Sequence, residues 1–175
     1  MLHLAMLVFR LTCIPSVILM FSFSQACSDD VSDPGRYLKL NGVNIYYEIH
    51  GSGEPLLLLH GGLSHGNAWH EQVAAFSPHY KLILMDSRGH GRSELGTEQI
   101  SYTKMTDDVL ALLDRLHIER THLLGWSDGA IIGLHMAIRA PQRLGKLIAF
   151  GANYHPSGVR EDIGENKRFG EFFTD

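Results

Sequence analysis

The residues with the clearest potential for covalent chemistry form a Gly-x-Ser-x-Gly sequence at 125–129, with Ser127 at its centre. An apolar strand is predicted just before it, at 121–124, and a helix just after it, ending at Arg139. When a strand, a tight serine turn and a helix follow one another in this order, the turn holds the serine hydroxyl clear of the sheet edge, where it can act as a nucleophile. The helix N-terminus directs N–H groups at any anion that forms beside it. The pattern predicts acyl transfer, although Gly-x-Ser-x-Gly alone also occurs by chance in a chain with 18 glycines.

Apolar stretches of strand length alternate with stretches of helical periodicity, which predicts an α/β fold with a mostly parallel sheet. A β-hairpin is expected first, over 37–48, because Asn-Gly at 41–42 is a strong signal for a two-residue turn. Asn67 is the predicted N-cap of the first helix. The further strands are predicted at 55–59, 82–85 and 147–150, and the helices at 67–76 and 103–116.

Length and composition limit the function classes. A chain of 175 residues with a net charge of −4 predicts one domain and no nucleic-acid partner, since no basic stripe is present. Its 11 histidines and 2 cysteines form no cluster with zinc-site spacing, so neither a metal nor a cofactor is predicted. The expected partner is a small-molecule substrate, and the oligomeric state is left open.

The first 26 residues have the composition of an export signal. They carry one charged side chain, and an apolar run at 11–23 is followed by the small residues Ser24 and Ala26, as before a cleavage site. The run is too short to span a bilayer comfortably, so we predict a signal peptide and a periplasmic or secreted protein. The alternatives are an uncleaved membrane anchor, or a lipoprotein acylated at Cys27, although Ser24 stands where that motif usually has Leu.

Three motifs in order resemble those of the α/β-hydrolase superfamily over residues 37–150. They are His-Gly-Gly at 60–62, Asp-x-Arg-Gly-x-Gly-x-Ser at 86–93, and the serine turn. The residues of the serine turn, with Gly-Ala-Asn at 151–153, are similar to the valacyclovir-hydrolase (biphenyl hydrolase-like) branch. The resemblance implies an α/β-hydrolase fold and hydrolysis of small esters, amides or lactones through an acyl-enzyme.

The resemblance also assigns roles to individual residues. Ser127 is the expected nucleophile, and the backbone N–H of Asp128 is one oxyanion donor. The second donor is expected from Gly62, with Leu63 as the alternative. A separate expectation comes from chemistry and not from the resemblance. A carboxylate at Asp128 would oppose the negative charge that develops beside it, so it is expected to bind a positive group of the substrate; the alternative is that it only complements the helix dipole.

Two neighbouring loops are expected to have structural roles. His60 is predicted to support its loop, because the base of the family follows the last strand. In the 86–93 loop, Asp86 and Arg88 are expected to pair with each other and brace the strand end.

The sequence departs from the family pattern after the last predicted strand. Complete members continue to an acidic residue and then a histidine after later strands, whereas this sequence ends at residue 175. We therefore expect residues 27–36 to be a linker, 37–150 the N-terminal part of a hydrolase domain, and 151–175 the start of a lid or a truncated tail. His155 and Asp162 are not assigned as base and acid, so the chain as written is expected to be inactive.

Other functions remain open at this stage. The main alternative is a non-catalytic remnant or small-molecule binding module on the same scaffold. A C–C bond hydrolase or haloperoxidase is also open, because fold does not fix chemistry. A dehalogenase is disfavoured, because its nucleophile is normally Asp and this turn carries Ser.

Overall fold

The computed structural model describes residues 35–153. The expected signal peptide, Cys27, most of the linker, and His155 and Asp162 in the tail lie outside the described residues. No helix within 35–153 is long and apolar enough to cross a membrane.

The described residues begin with the predicted β-hairpin. Strands β1 (Arg36–Leu40) and β2 (Val43–His50) pair antiparallel. The hairpin begins one residue earlier and ends two residues later than the predicted range of 37–48. Asn41 and Gly42 at the turn have φ of 44° and 87°. Two consecutive positive φ angles are the signature of a primed turn, which matches the twist of the flanking strands and sets the hairpin register.

Four further strands form the parallel part of the sheet: β3 (Glu54–Leu59), β4 (Tyr80–Met85), β5 (Thr121–Trp126) and β6 (Leu144–Phe150). The strand order is β1-β2-β4-β3-β5-β6, with β2 antiparallel to β4 and the other pairs from β4 to β6 parallel. Leu59 pairs with both Met85 and Gly125, so the carboxyl ends of three strands meet at one edge. The predicted mostly parallel α/β sheet is confirmed.

The α-helices are α1 (His70–Phe76), α2 (Tyr102–Arg115) and α3 (Asp128–Arg139). A 3₁₀ turn, Gly66–Trp69, precedes α1, and another, Pro141–Arg143, follows α3. The predicted N-cap at Asn67 is wrong. Asn67 lies inside the first 3₁₀ turn, and its N–H donates to the side chain of His65, which caps the turn.

The sheet has an apolar cluster on each face, as expected for strands whose side chains alternate. Leu57, Leu59 and Leu123 pack with α2 and α3, whereas Leu56 and Leu58 face the opposite cluster, which includes Trp69. A Cβ at Gly133 of α3 would lie 2.7 Å from Leu147 Cδ1, so this glycine lets α3 approach the sheet closely.

Candidate active site

Ser127 stands between the end of β5 and the start of α3 in a strained backbone conformation. Its φ of 51° and ψ of −115° lie outside the regions that non-glycine residues normally populate. Its N–H donates to the Phe150 carbonyl at 3.0 Å, and its carbonyl accepts from Ala130 at 2.9 Å and from Ile131 at 3.0 Å. The sheet and the helix therefore hold the serine in the geometry of a nucleophile elbow.

The flanking glycines make this turn sterically feasible. A Cβ at Gly125 would lie 2.3 Å from the Gly129 carbonyl oxygen, and a Cβ at Gly129 would lie 2.2 Å from the Leu59 carbonyl oxygen. Both distances are far below a real contact, and the obstructing atoms are backbone. The glycine spacing of the motif is thus a packing requirement of the turn that presents Ser127.

The loop after β3 lies against the serine turn, so the structure brings together two of the predicted motifs. A Cβ at Gly61 would be 3.1 Å from Ser127 Cβ, and a Cβ at Gly62 would be 2.6 Å from Asp128 Oδ2. Leu63 follows with φ 57° and a side chain that is 68% exposed. The N–H groups of Gly62, Leu63 and Asp128 as oxyanion donors stay predictions.

Asp128 begins α3, and its carboxylate is partly buried between two other elements. Burial raises the pKa of Asp128, against a hydrogen bond from Tyr102 and the charge of His90, which both lower it. The Tyr102 hydroxyl donates to Asp128 Oδ1 at 3.0 Å. The sequence analysis missed Tyr102, because a hydroxyl at the start of one helix carries no local sign that it will contact the next.

His60 is buried and has a structural role, as predicted. Its Nδ1–H donates to the Gly61 carbonyl at 2.7 Å, and its Nε2 accepts from the Ser87 N–H at 3.0 Å. The first bond holds the ring against its own loop, and the second joins the end of β3 to the end of β4. Burial lowers the pKa of His60 to about 4, so the ring is neutral at physiological pH.

Stability should therefore fall when the pH falls from 6.5 towards 4. In this window the unfolded chain protonates His60, with an ordinary pKa of about 6.5, and the folded chain does not. The wild type should lose about 2 kcal/mol of unfolding free energy between pH 7 and pH 5 through this residue. Urea titrations at the two pH values should show a clearly smaller loss in His60→Gln. The exposed His70→Gln is the control and should keep the wild-type loss; an equal loss in all three proteins contradicts the assignment.

The predicted pairing of Asp86 with Arg88 is wrong. Arg88 is buried and donates from Nε and Nη2 to the Asp108 carboxylate of α2, at 2.8 and 2.7 Å. Asp86 Oδ2 instead accepts from Arg92 Nε and from the Arg92 N–H, both at 2.9 Å. The two side chains leave the end of β4 in different directions: Arg88 extends towards α2, and Asp86 towards the 3₁₀ turn, where it also accepts from the Gly66 N–H at 2.6 Å.

The carboxylate of Asp86 is nevertheless part of the site's support. Burial raises the pKa of Asp86, but hydrogen bonds from Arg92 and Gly66 outweigh that effect and hold the pKa below its usual value. As an anion, Asp86 ties the loop after β3 to the loop after β4. The brace predicted for this loop is present, with Arg92 in the place expected for Arg88.

No histidine in the described part of the chain hydrogen-bonds to the Ser127 hydroxyl. The hydrogen bonds and ion pairs of these histidines go to backbone atoms or to carboxylates elsewhere. No three His, Cys, Asp or Glu side chains among residues 35–153 are grouped so that they could hold a metal ion. Residues 35–153 therefore present a candidate nucleophile and candidate oxyanion donors, and no histidine among them is placed as a general base for Ser127.

A family model for the alpha/beta hydrolase fold matches residues 54–175. The chain belongs to the α/β-hydrolase family. The match covers the three motifs, the four strands β3 to β6, the three α-helices and the residues that hold Ser127. The expected fold family is thereby confirmed, whereas the resemblance to the valacyclovir-hydrolase branch stays a prediction.

Relatives of this α/β-hydrolase chain cleave different acyl bonds. RutD of Azorhizobium caulinodans, named as a candidate carbamate hydrolase, is 38% identical over 104 residues, or 59% of this chain and 39% of RutD. A pimeloyl-acyl-carrier-protein methyl ester esterase of Aeromonas hydrophila is 35% identical over 112 residues, or 63% of this chain and 42% of the esterase. The chain thus spans less than half the length of these relatives.

A solved structure also supports membership of the α/β-hydrolase family. Est816, described as an N-acyl homoserine lactone degrading enzyme, superposes with a TM-score of 0.70 at 30% identity. The superposition covers 78% of this chain and 54% of Est816. The chain therefore resembles a hydrolase in its three-dimensional fold as well as in its sequence.

Proposed function

We propose that the whole protein is a serine hydrolase of small esters, amides or lactones that works through an acyl-enzyme. The observation that carries the proposal is the strained backbone of Ser127, held by Phe150, Ala130 and Ile131. Strain of this kind persists only where the surrounding structure enforces it, and it occurs preferentially at functional sites. The names of the relatives add support, since carbamate, methyl ester and lactone cleavage are all attacks on an acyl carbon.

In the proposed mechanism the Ser127 hydroxyl attacks the acyl carbon while a general base takes its proton. The N–H groups of Asp128 and Gly62, or Leu63 in place of Gly62, stabilise the oxyanion of the tetrahedral intermediate. Collapse releases the alcohol or amine, and water then attacks the acyl-enzyme by the same route. The base and the acid that orients it are proposed to be supplied by residues outside 35–153.

Export and branch membership are part of the same proposal. The leader of the first 26 residues is proposed to direct the protein to the periplasm or the medium, with lipidation of Cys27 as the alternative. The Gly-Trp-Ser-Asp-Gly sequence at 125–129 supports membership of the valacyclovir-hydrolase branch.

Labelling by a fluorophosphonate probe tests the proposal directly. The 175-residue chain should label weakly or not at all, because no histidine among residues 35–153 hydrogen-bonds to Ser127 and a serine hydroxyl without a base is a poor nucleophile. The longest product of the gene should label stoichiometrically at Ser127, as located by mass spectrometry. Full labelling of the 175-residue chain would mean that one of its own histidines supplies the base.

The second candidate function is a small-molecule binding module that kept the elbow and lacks catalysis. It is favoured by one observation, the missing base among the described residues. The DNA beyond codon 175 separates the two candidates. An open frame encoding one strand followed by an acidic residue and another followed by His supports the hydrolase, and a stop codon supports the module.

Asp128 is proposed to give a preference for substrates with a positive group near the acyl carbon, such as amino-acid esters. Its carboxylate lies against Gly62. A cation bound there would be attracted to the carboxylate more strongly than in water, because the effective dielectric constant is lower in a partly buried site. The preference should disappear as the pH falls through the raised pKa of Asp128, starting at a higher pH than for an ordinary carboxyl group. The measurement compares an alanine ester with its propionyl analogue in wild type and in Asp128→Asn. An unchanged ratio of kcat/KM values would leave Asp128 with only its effect on the helix dipole.

A further inference from the structure

Tyr102, the first residue of α2, connects that helix to the start of α3. Its hydroxyl donates to Asp128 Oδ1, and its ring centroid is 5.9 Å from that of His135, at a tilt of 47°. The phenol thus sits between the two helices with one end on a residue adjacent to the nucleophile.

The two oxygens of Asp128 have different surroundings. Oδ1 accepts from Tyr102, whereas Oδ2 is the oxygen nearer to the loop after β3. A Cβ on Gly62 would lie 2.6 Å from Oδ2 and 3.6 Å from Oδ1. A hydrogen bond to one oxygen of a carboxylate fixes the direction of the other, because the group is planar.

We propose that Tyr102 is a positioning residue for substrate selectivity, which it sets by holding Oδ1 and thereby aiming Oδ2 at the space beside Gly62. The ligand class is an acyl group that carries a protonated amine near its carbonyl carbon. This inference rests on the proposed hydrolase function and on the role of Asp128 in it. Tyr102 acts only through Asp128 and touches no reacting atom.

The charge balance around Asp128 is consistent with this role. Tyr102 contacts the carboxylate from α2, and His90 acts on it from the loop after β4. A phenol donor stabilises the carboxylate form and so opposes the effect of burial. Removing the hydroxyl should therefore leave the carboxylate less well directed and also less acidic.

The test is a double-mutant cycle in the whole protein. The measured quantity is the ratio of kcat/KM for an alanine ester to kcat/KM for its propionyl analogue. Tyr102→Phe should lower this ratio roughly threefold to tenfold, as for the loss of one ordinary hydrogen bond, because the hydroxyl acts on the substrate only indirectly. In the Asp128→Asn background the same substitution should have little further effect, because the two residues act as one unit. Tyr80→Phe, in β4 and packed on the α1 side of the sheet, is the control and should leave the ratio at the wild-type value.

A binding measurement separates this proposal from the proposed reaction. Alaninamide titrated calorimetrically into Ser127→Ala should bind more tightly than propionamide, and Tyr102→Phe should reduce that difference. The proposal is overturned if Tyr102→Phe leaves both the kcat/KM ratio and the binding difference unchanged. It is also overturned if Tyr102→Phe lowers these two quantities by the same factor in the Asp128→Asn background as in the wild-type background. If Ser127→Ala keeps its activity, the reaction mechanism fails, while the binding difference still decides the role of Tyr102.

Discussion

Ser127→Ala is expected to lower turnover of a p-nitrophenyl ester by roughly four to six orders of magnitude in the whole protein. The substitution removes the only atom that can form the acyl-enzyme in the proposed mechanism. It leaves the backbone N–H groups of the turn in place, so a residual rate above that of water should remain. The measurement is steady-state hydrolysis of p-nitrophenyl acetate with purified protein.

The control for this substitution is Ser77→Ala. Ser77 is the C-cap residue that follows α1, away from the serine turn, so Ser77→Ala should keep most of the activity. A Ser127→Ala protein that folds normally and keeps more than about a tenth of the wild-type rate would exclude Ser127 as nucleophile. Ser127→Ala should fold normally, because the hydroxyl of Ser127 makes no hydrogen bond within the described residues. Circular dichroism checks this expectation.

Asp108→Ala is expected to cost roughly 3–5 kcal/mol of unfolding free energy. Both partners of the Arg88–Asp108 pair are buried, with 2% and 0% of their side chains exposed. Asp108 Oδ1 also accepts from Asn41 Nδ2 at 2.9 Å, which ties α2 to the hairpin turn. Truncating the acid leaves the buried guanidinium with the Asn41 carbonyl as an acceptor at 3.4 Å but with no counter-charge, and that uncompensated charge is the main cost.

The adjacent residue offers a matched control. Asp107 pairs with Arg139 at the same distance of 2.7 Å, but 37% and 45% of these side chains are exposed. Asp107→Ala should therefore cost only about 0–1 kcal/mol. Urea unfolding followed by circular dichroism compares the two. Equal losses in Asp107→Ala and Asp108→Ala would show that burial does not set the strength of the Arg88 pair.

Most of the secondary structure was predictable, because its determinants are local. Apolar runs, the Asn-Gly turn and the glycines around Ser127 each specify backbone geometry within a few residues. Strand ends were predicted less well: β5 extends to Trp126, and β6 begins at Leu144. These extra residues pair with neighbouring strands, and such pairing depends on the assembled sheet.

The partners of the charged side chains were less predictable. Arg88 and Asp86 are close in sequence, which favoured pairing them, but the side of the sheet that each one reaches is a property of the fold. One signal could have identified the true partner of Arg88. Asp108 lies among the apolar residues Met105 and Val109 on the buried face of α2, and a charge in that position requires a buried counter-charge.

The position of the loop after β3 beside the serine turn was predictable, and the contact of Asp128 with Tyr102 was not. The motif order brings the residues after β3 and β5 to the same edge of a parallel sheet. Asp128 and Tyr102 are 26 residues apart and meet only because α2 and α3 pack side by side. Helix packing fixes such contacts after the sheet is formed, and no spacing rule in the sequence encodes them.

The exposed side chain of Trp126, next to Ser127, provides an intrinsic fluorescent reporter. The chain has two tryptophans; Trp69 is 5% exposed, whereas Trp126 is 40% exposed and stacks on Phe150 at 6.5 Å. A collisional quencher such as iodide reaches only an accessible indole. The part of the tryptophan fluorescence that iodide can quench therefore comes from Trp126, next to Ser127. A ligand that covers Trp126 would reduce this quenching, so the quenching would report occupancy of the site without any label.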